Sequence, residues 1–213
     1  MTLGECTIPN LEKIFGLKLK DENVFLSSWI NQNQVLSSFQ QEALMFYRKE
    51  LRANFFNWNE QELSMHFIGP MLSLVDFTGE NFNAYANRSI KASIGEIELN
   101  GIPDGMIAKG RREPEIPYFC FHAGGVPQYK KEIDPNGHPA AQALGAMLIG
   151  QSLNENKSPI YGCYVIGKFW TFMVLDGKNY ALSQGYDATS DEVLTIFQIL
   201  LTLKSIVREL ASV

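Results

Sequence analysis

Residues 101–154 read GIPDGMIAKGRREPEIPYFCFHAGGVPQYKKEIDPNGHPAAQALGAMLIGQSLN, and their order decides the fold. Residues 102–108 form a short apolar run that carries Asp104 beside Gly105, the pattern of a strand with an acid near its start. A basic turn with Lys109, Arg111 and Arg112 leads to residues 116–121, a nearly continuous run of Ile, Tyr, Phe and Cys. Such a run predicts a strand covered on both faces. The segment Ala123-Gly124-Gly125-Val126-Pro127 then breaks the pattern, because glycine pairs weaken a strand and proline cannot donate to a ladder. Beyond it lie Gln128, Tyr129 and Lys130. Residues 135–154 predict a helix packed through Leu144 and Leu148, with Pro139 near its first turn.

Downstream, Ile160–Ile166 and residues 169–175 read as strands joined by Gly167-Lys168, whose leading Gly suits a type II′ turn. Asp176-Gly177 has the composition of a type I′ turn and leads into a third strand through Leu182. The chain then closes with a helix from Asp191, capped by Thr189 or Ser190. Its core face carries Val193, Leu194, Phe197, Leu200, Leu201, Lys204 and Val207.

Upstream, Val35, Leu36, Phe39, Ala43, Phe46, Tyr47 and Leu51 recur at helical spacing and predict one long helix over residues 32–54. A second helix follows. Asn59 with Glu62 three residues on makes a capping box, and Leu63, Phe67, Met71 and Leu74 supply a buried stripe. At about 100° per residue, Glu60 falls near the centre line of that stripe and Glu62 points nearly opposite. An inward carboxylate needs a partner, a proton or a metal. The alternative is an exposed acid that simply favours a helix start. After Pro70 comes an Asn- and Gly-rich loop, and residues 93–100 then alternate as a strand.

The order is helices, three strands, a helix, a strand meander and a helix. It predicts an α+β, α/β/α sandwich-like fold with a mixed central sheet flanked by helices. Residues 1–56 read as an N-terminal helical extension packed on a core domain of residues 57–213. At 46% hydrophobic and 19% charged, 213 residues can bury such a core. A net charge of −5 opposes strong non-specific nucleic-acid affinity, though a local basic patch would still serve. Cys6, Cys120 and Cys163 lack C-x-x-C spacing and read as buried packing residues; His66, His122 and His138 are too scattered for zinc. No apolar run reaches the ~18 residues of a membrane span and no signal-peptide core is visible, so a soluble, cytoplasmic protein with no membrane partner is expected.

The order Pro103-Asp104, then Gln128-x-Lys130, then a helix resembles the PD-(D/E)XK nuclease superfamily. The resemblance spans residues 59 to about 175. The stretch NEQELSMHFIGPML also looks like the opening helix of the restriction-enzyme branch. It implies a restriction-endonuclease-like core and a divalent-metal-dependent DNA endonuclease of restriction or defence type. By position, Asp104, Gln128 and Lys130 would be the catalytic set. Asp104, Glu60 and Gln128 would be the ligands of Mg²⁺ or Mn²⁺, with Glu62, Glu132 and His122 as further candidates. Lys109, Arg111, Arg112 and Lys131 would face phosphates of duplex DNA, and Gln142 on the following helix would either face the site or lie at the surface. A homodimer or a protein partner is also compatible.

Two departures stand against the pattern. Gln128 brings no charge where an acid is usual, so the cation should be held weakly. The Gly124-Gly125 break also admits two paths. Either the segment loops out as a bulge and Gln128 and Lys130 re-enter the site, or the strand continues in register and the two positions fall on Ala123 and Gly125. In the second case the chain is a nuclease-like fold acting as a binding or regulatory module.

Overall fold

The computed structural model describes residues 1–124, 138–154 and 158–212. A mixed sheet lies between two layers of helix, the α+β sandwich expected from the element order. In chain order its strands are β1 (Lys18–Leu19), β2 (Phe82–Ala86), β3 (Ile90–Ile94), β4 (Ile97–Gly101), β5 (Gly105–Lys109), β6 (Ile116–Gly124), β7 (Ile160–Ile166), β8 (Phe169–Asp176) and β9 (Asn179–Asp187). Seven of them form the central sheet in the order β1-β9-β8-β7-β6-β5-β2, and β3 with β4 forms a separate hairpin. The pairs β6–β7 and β1–β9 are parallel; the other central pairs are antiparallel.

The helices are α1 (Ile8–Phe15), α2 (Val24–Ile30), α3 (Ser38–Asn54), α4 (Glu60–Leu63), α5 (Gly69–Val75), α6 (Pro139–Leu153) and α7 (Glu192–Ala211). A parallel β6–β7 pair requires a crossover, and α6 provides it. Every residue of α6 from Ala140 to Gly150 except Gln142 is buried. The sheet covers one side of this helix, and α1 with the β3–β4 hairpin covers the other. That double cover is why its sequence is apolar all round. Gly145 allows the close approach, since a Cβ there would sit 2.8 Å from Leu3 Cδ2.

The opposite face of the sheet packs α7 with α2, α3 and α5. Trp29 anchors this layer. Fully buried, it meets Tyr161 and Phe172 edge-on, and its Nε1 donates to Ile199 O at 2.9 Å. The first residues of the chain are not only helical: β1 extends the central sheet, and the Met1 amino group donates to Glu98 O at 2.9 Å.

Several local expectations shift. The single strand over residues 93–100 is a hairpin, because Gly95 takes φ +63° and turns the chain between Ile94 and Ile97. The turn after β8 is Gly177-Lys178 rather than Asp176-Gly177. Asp176 pairs with Asn179, and Gly177, at φ +58°, leads the turn. The Asn-rich loop after Pro70 contains β2, which lies at one edge of the sheet. The long helix begins at Ser38, where Ser37 and Gln40 form a capping box. Among the described residues no helix is long and apolar enough to cross a membrane.

The segment from Glu60 to Val75 is continuous helix with an irregular middle. A π turn over Ser64–Ile68 separates α4 from α5, and the Gly69 N–H donates to Ser64 O. Leu63, Phe67, Met71 and Val75 are buried at a spacing of four, Ile68 is buried beside Phe67, and Leu74 is only partly buried.

Candidate functional site

A cleft of about 700 Å³ opens between this irregular helix and the ends of β2, β5 and β6. Glu60, Ser64, Ile68 and Leu72 line its helical wall. Ala84, Tyr85, Ala86 and Asn87 form the β2 side, and Asp104, Gly105 and Phe121 lie at the strand ends. Asn59 caps α4 by accepting the Glu62 N–H at 2.9 Å, and Glu62 accepts the Asn59 N–H at 2.8 Å. Glu62 is thus engaged in its own helix cap, whereas Glu60 stands at the cleft.

Asp104 sits one residue before β5, next to the Gly105–Phe121 pair of β5 and β6. Its carboxylate does not close a local turn. Oδ2 accepts the Ala123 N–H of β6 at 2.7 Å and lies 3.5 Å from His122 Nδ1. Its backbone oxygen accepts the Asn87 N–H at 3.2 Å. Asp104 is therefore held to both neighbouring strands. Gly105 is required beside it, because a Cβ there would fall 2.1 Å from Phe121 Cε1.

His122 is 5% exposed, and its Nε2 has no hydrogen-bond partner among the described residues. Buried polar atoms are rarely left so. The Glu60 carboxyl is held above the ordinary glutamate range, first by desolvation and next by the negative charge of Asp104, with His122 acting in the opposite direction. Glu60, Asp104 and His122 thus share one electrostatic environment.

Other candidates fall elsewhere. Lys109 ends β5, about 16 Å along the strand from Asp104 at ~3.3 Å per residue. Arg111 and Arg112 line a second, open concavity with Glu113 and Glu115, and Arg88 reaches Glu113 at 3.5 Å. Gln128, Lys130, Lys131 and Glu132 lie outside the described residues. Strand β6 itself stays in register with β7 through Ala123–Val165 and Gly124–Ile166. Neither Ala123 nor Gly124 is looped out, so any bulge would begin after them. The three cysteines are free and buried, and burial pushes the Cys6 thiol up to about 11 and the Cys120 thiol up to about 12. Among the described residues no group of three or more His, Cys, Asp or Glu side chains is placed to hold a metal ion.

Tyr85, Asn87 and Phe121 belong to the cleft although nothing in their local sequence marks them. Strand β2 buries Phe82 and Tyr85, three apart, so the period of two that would have shown it is missing. No protein-family model matches the chain, and no curated protein matches its sequence significantly.

Proposed function

We propose that the chain is a divalent-metal-dependent phosphodiester hydrolase, a DNA endonuclease of restriction or defence type, and that Glu60 and Asp104 are its acids. The observation that carries the reading is the meeting of these two carboxylates, 44 residues apart in sequence, at one cleft where the charge of Asp104 raises the cost of ionising Glu60. Two carboxylate oxygens suit a hard cation such as Mg²⁺ or Mn²⁺ in kind. They are fewer than a tight site needs, so the ion is bound weakly. When bound, the cation would supply charge stabilisation at the phosphate oxygens and a more acidic water.

The residues of the chain divide the remaining work. The Ala123 N–H fixes one oxygen of Asp104 and leaves the other for a ligand. Gln128 and Lys130 would complete the ligand set and orient water, as the resemblance implies. Lys109, Arg111, Arg112 and Lys131 would contact the nucleic-acid backbone. Three free thiols suit a reducing compartment, and we take the cytoplasm as the place of action.

One observation favours a second reading. Strand β6 runs on in register through Gly124, which supports Ala123 taking the position where the resemblance expects the third ligand. On that reading the chain is a nuclease-like binding module without catalysis. Calorimetry with Mn²⁺ and relaxation of supercoiled plasmid separate the two. The catalytic reading expects weak Mn²⁺ binding that Asp104→Asn and Glu60→Gln each remove, and cleavage that Lys130→Ala abolishes. Cleavage that survives Asp104→Asn, or a parent protein that neither binds Mn²⁺ nor cuts, refutes it.

A further inference from the structure

The helical wall of the cleft carries two parallel stripes, each at a spacing of four. Glu60, Ser64 and Leu72 line the cleft, with Ile68 buried at its base, while Leu63, Phe67, Met71 and Val75 face the core. A regular α-helix cannot keep both straight. At about 100° per residue a spacing of four drifts by about 40° each step, or about 120° from Glu60 to Leu72. In a regular helix Glu60 would instead align within about 20° of Met71, which is fully buried. The π turn over Ser64–Ile68 absorbs one extra residue and so rotates the preceding turn by about 100°. That rotation takes Glu60 out of line with the core and into line with the cleft.

The sequence supplies a cause for the wide turn immediately after it. Pro70 has no N–H, and in a regular helix its ring would press on the carbonyl of the fourth residue before it, His66. Widening the turn upstream relieves that clash. Gly69 closes the π turn by donating to Ser64 O, and a Cβ at Gly69 would lie 3.0 Å from that same oxygen. A side chain there would crowd the bond that defines the turn.

We propose that Gly69-Pro70 is a positioning element: it holds the π turn that swings Glu60 from the buried stripe to the cleft beside Asp104. The functional consequence rests on the reading of Glu60 and Asp104 as the cation-holding acids, whereas the geometric one does not. The two are tested by different readouts on the full chain. The first is thiol labelling of Glu60→Cys with Ellman's reagent, the native cysteines being buried. The second is Mn²⁺ affinity by calorimetry in the chain that keeps Glu60.

Pro70→Ala restores the missing donor and removes the clash. Gly69→Ala crowds the Ser64 oxygen that closes the π turn and so disturbs it by a second route, with every residue kept. Each should slow labelling of the thiol introduced at position 60 about tenfold or more as that position turns toward the core. Each should also weaken Mn²⁺ binding about tenfold or more through loss of one of two charged ligands. A merely structural role would not couple slower labelling at position 60 to lost Mn²⁺ affinity.

Unchanged labelling in both variants overturns the proposal. Slower labelling with unchanged Mn²⁺ affinity removes its functional half. Slower labelling in a chain whose parent form binds no Mn²⁺ leaves the positioning of residue 60 standing and refutes the cation reading instead.

Discussion

Asp104 is the residue whose replacement tests the geometry most directly, because its oxygen has a structural task that needs no metal. Oδ2 accepts the N–H of Ala123, a residue only 4% exposed, at 2.7 Å. Asp104→Ala leaves that buried donor unpaired, at a cost of about 2–3 kcal/mol for a charge-assisted bond. Loss of the repulsion with Glu60 returns a fraction of this, so the net loss is about 2 kcal/mol. With a urea m-value of about 2 kcal/mol/M, the unfolding midpoint should fall by about 1 M. Asp104→Asn keeps a carbonyl oxygen for the bond and should lose about 1 kcal/mol or less, about half that shift. The assay is urea unfolding at neutral pH with EDTA present, so that no cation contributes. A midpoint for Asp104→Ala within about 0.2 M of the parent would show that the tether between Asp104 and β6 is absent. The site would then lose its one fixed acid.

Asp187, at the end of β9, ties the β7–β8 turn to the segment leading into α7 by accepting from Lys168 Nζ at 2.7 Å, the Thr189 N–H at 2.8 Å and Thr189 Oγ1 at 2.6 Å. Burial opposes its ionisation, yet these donors hold its carboxyl below the ordinary aspartate value of 3.8. Its stabilisation is therefore present above pH 3.8 and lost as pH falls through the lower folded value; Asp187→Ala should cost about 2–3 kcal/mol at pH 7, measured by urea unfolding. Glu60 has the opposite sign: its folded pKa is raised above 4.5, so the parent loses stability relative to Glu60→Gln as pH rises from 4.5 through the folded value, and paired thermal melts across that range check it. Trp29→Ala should cost about 3–5 kcal/mol by cavity formation and the lost bond to Ile199, read by chemical denaturation.

Layer order was legible in the sequence because it follows from long patterns. The doubly covered strand β6 and the meander β7–β9 carry apolar runs of strand length, α3 and α7 a sustained helical period, and α6 an apolar run of helix length. What was not legible depends on single residues or on distant cover. Strand β2 has no alternation to show, and the hairpin at Gly95 hides inside a run that alternates straight through its turn. Nothing in α6 announces the β3–β4 hairpin that covers its outer side. The site was legible in part. Asp104 and Glu60 stand out by residue type and by place on their elements, and the capping box correctly assigned Glu62 to the helix end. The wall that faces them was invisible, and so was the π turn, although Gly69-Pro70 inside an otherwise helical run was its signal.

The sign of the Glu60 perturbation bears on what this carboxylate is for. An acid in the first turn of a helix normally gains from the N–H groups and the dipole there, worth about 0.3–1 kcal/mol, and its pKa falls. An acid selected only to start α4 would therefore sit below the ordinary range. Glu60 sits above it, with desolvation and Asp104 named as the causes and His122 insufficient to reverse them. Its companion Glu62, two residues on, does the capping. The helix start is thus served by one acid while the other is kept where it is electrostatically unfavourable, facing a second carboxylate that is itself tied to β6. Such an arrangement lowers stability in the free chain, and the proposed reading expects a positively charged ligand between the two groups to offset that loss. On that reading a bound cation raises stability by more in the parent than in Glu60→Gln, and thermal melts of both with and without Mn²⁺ check it.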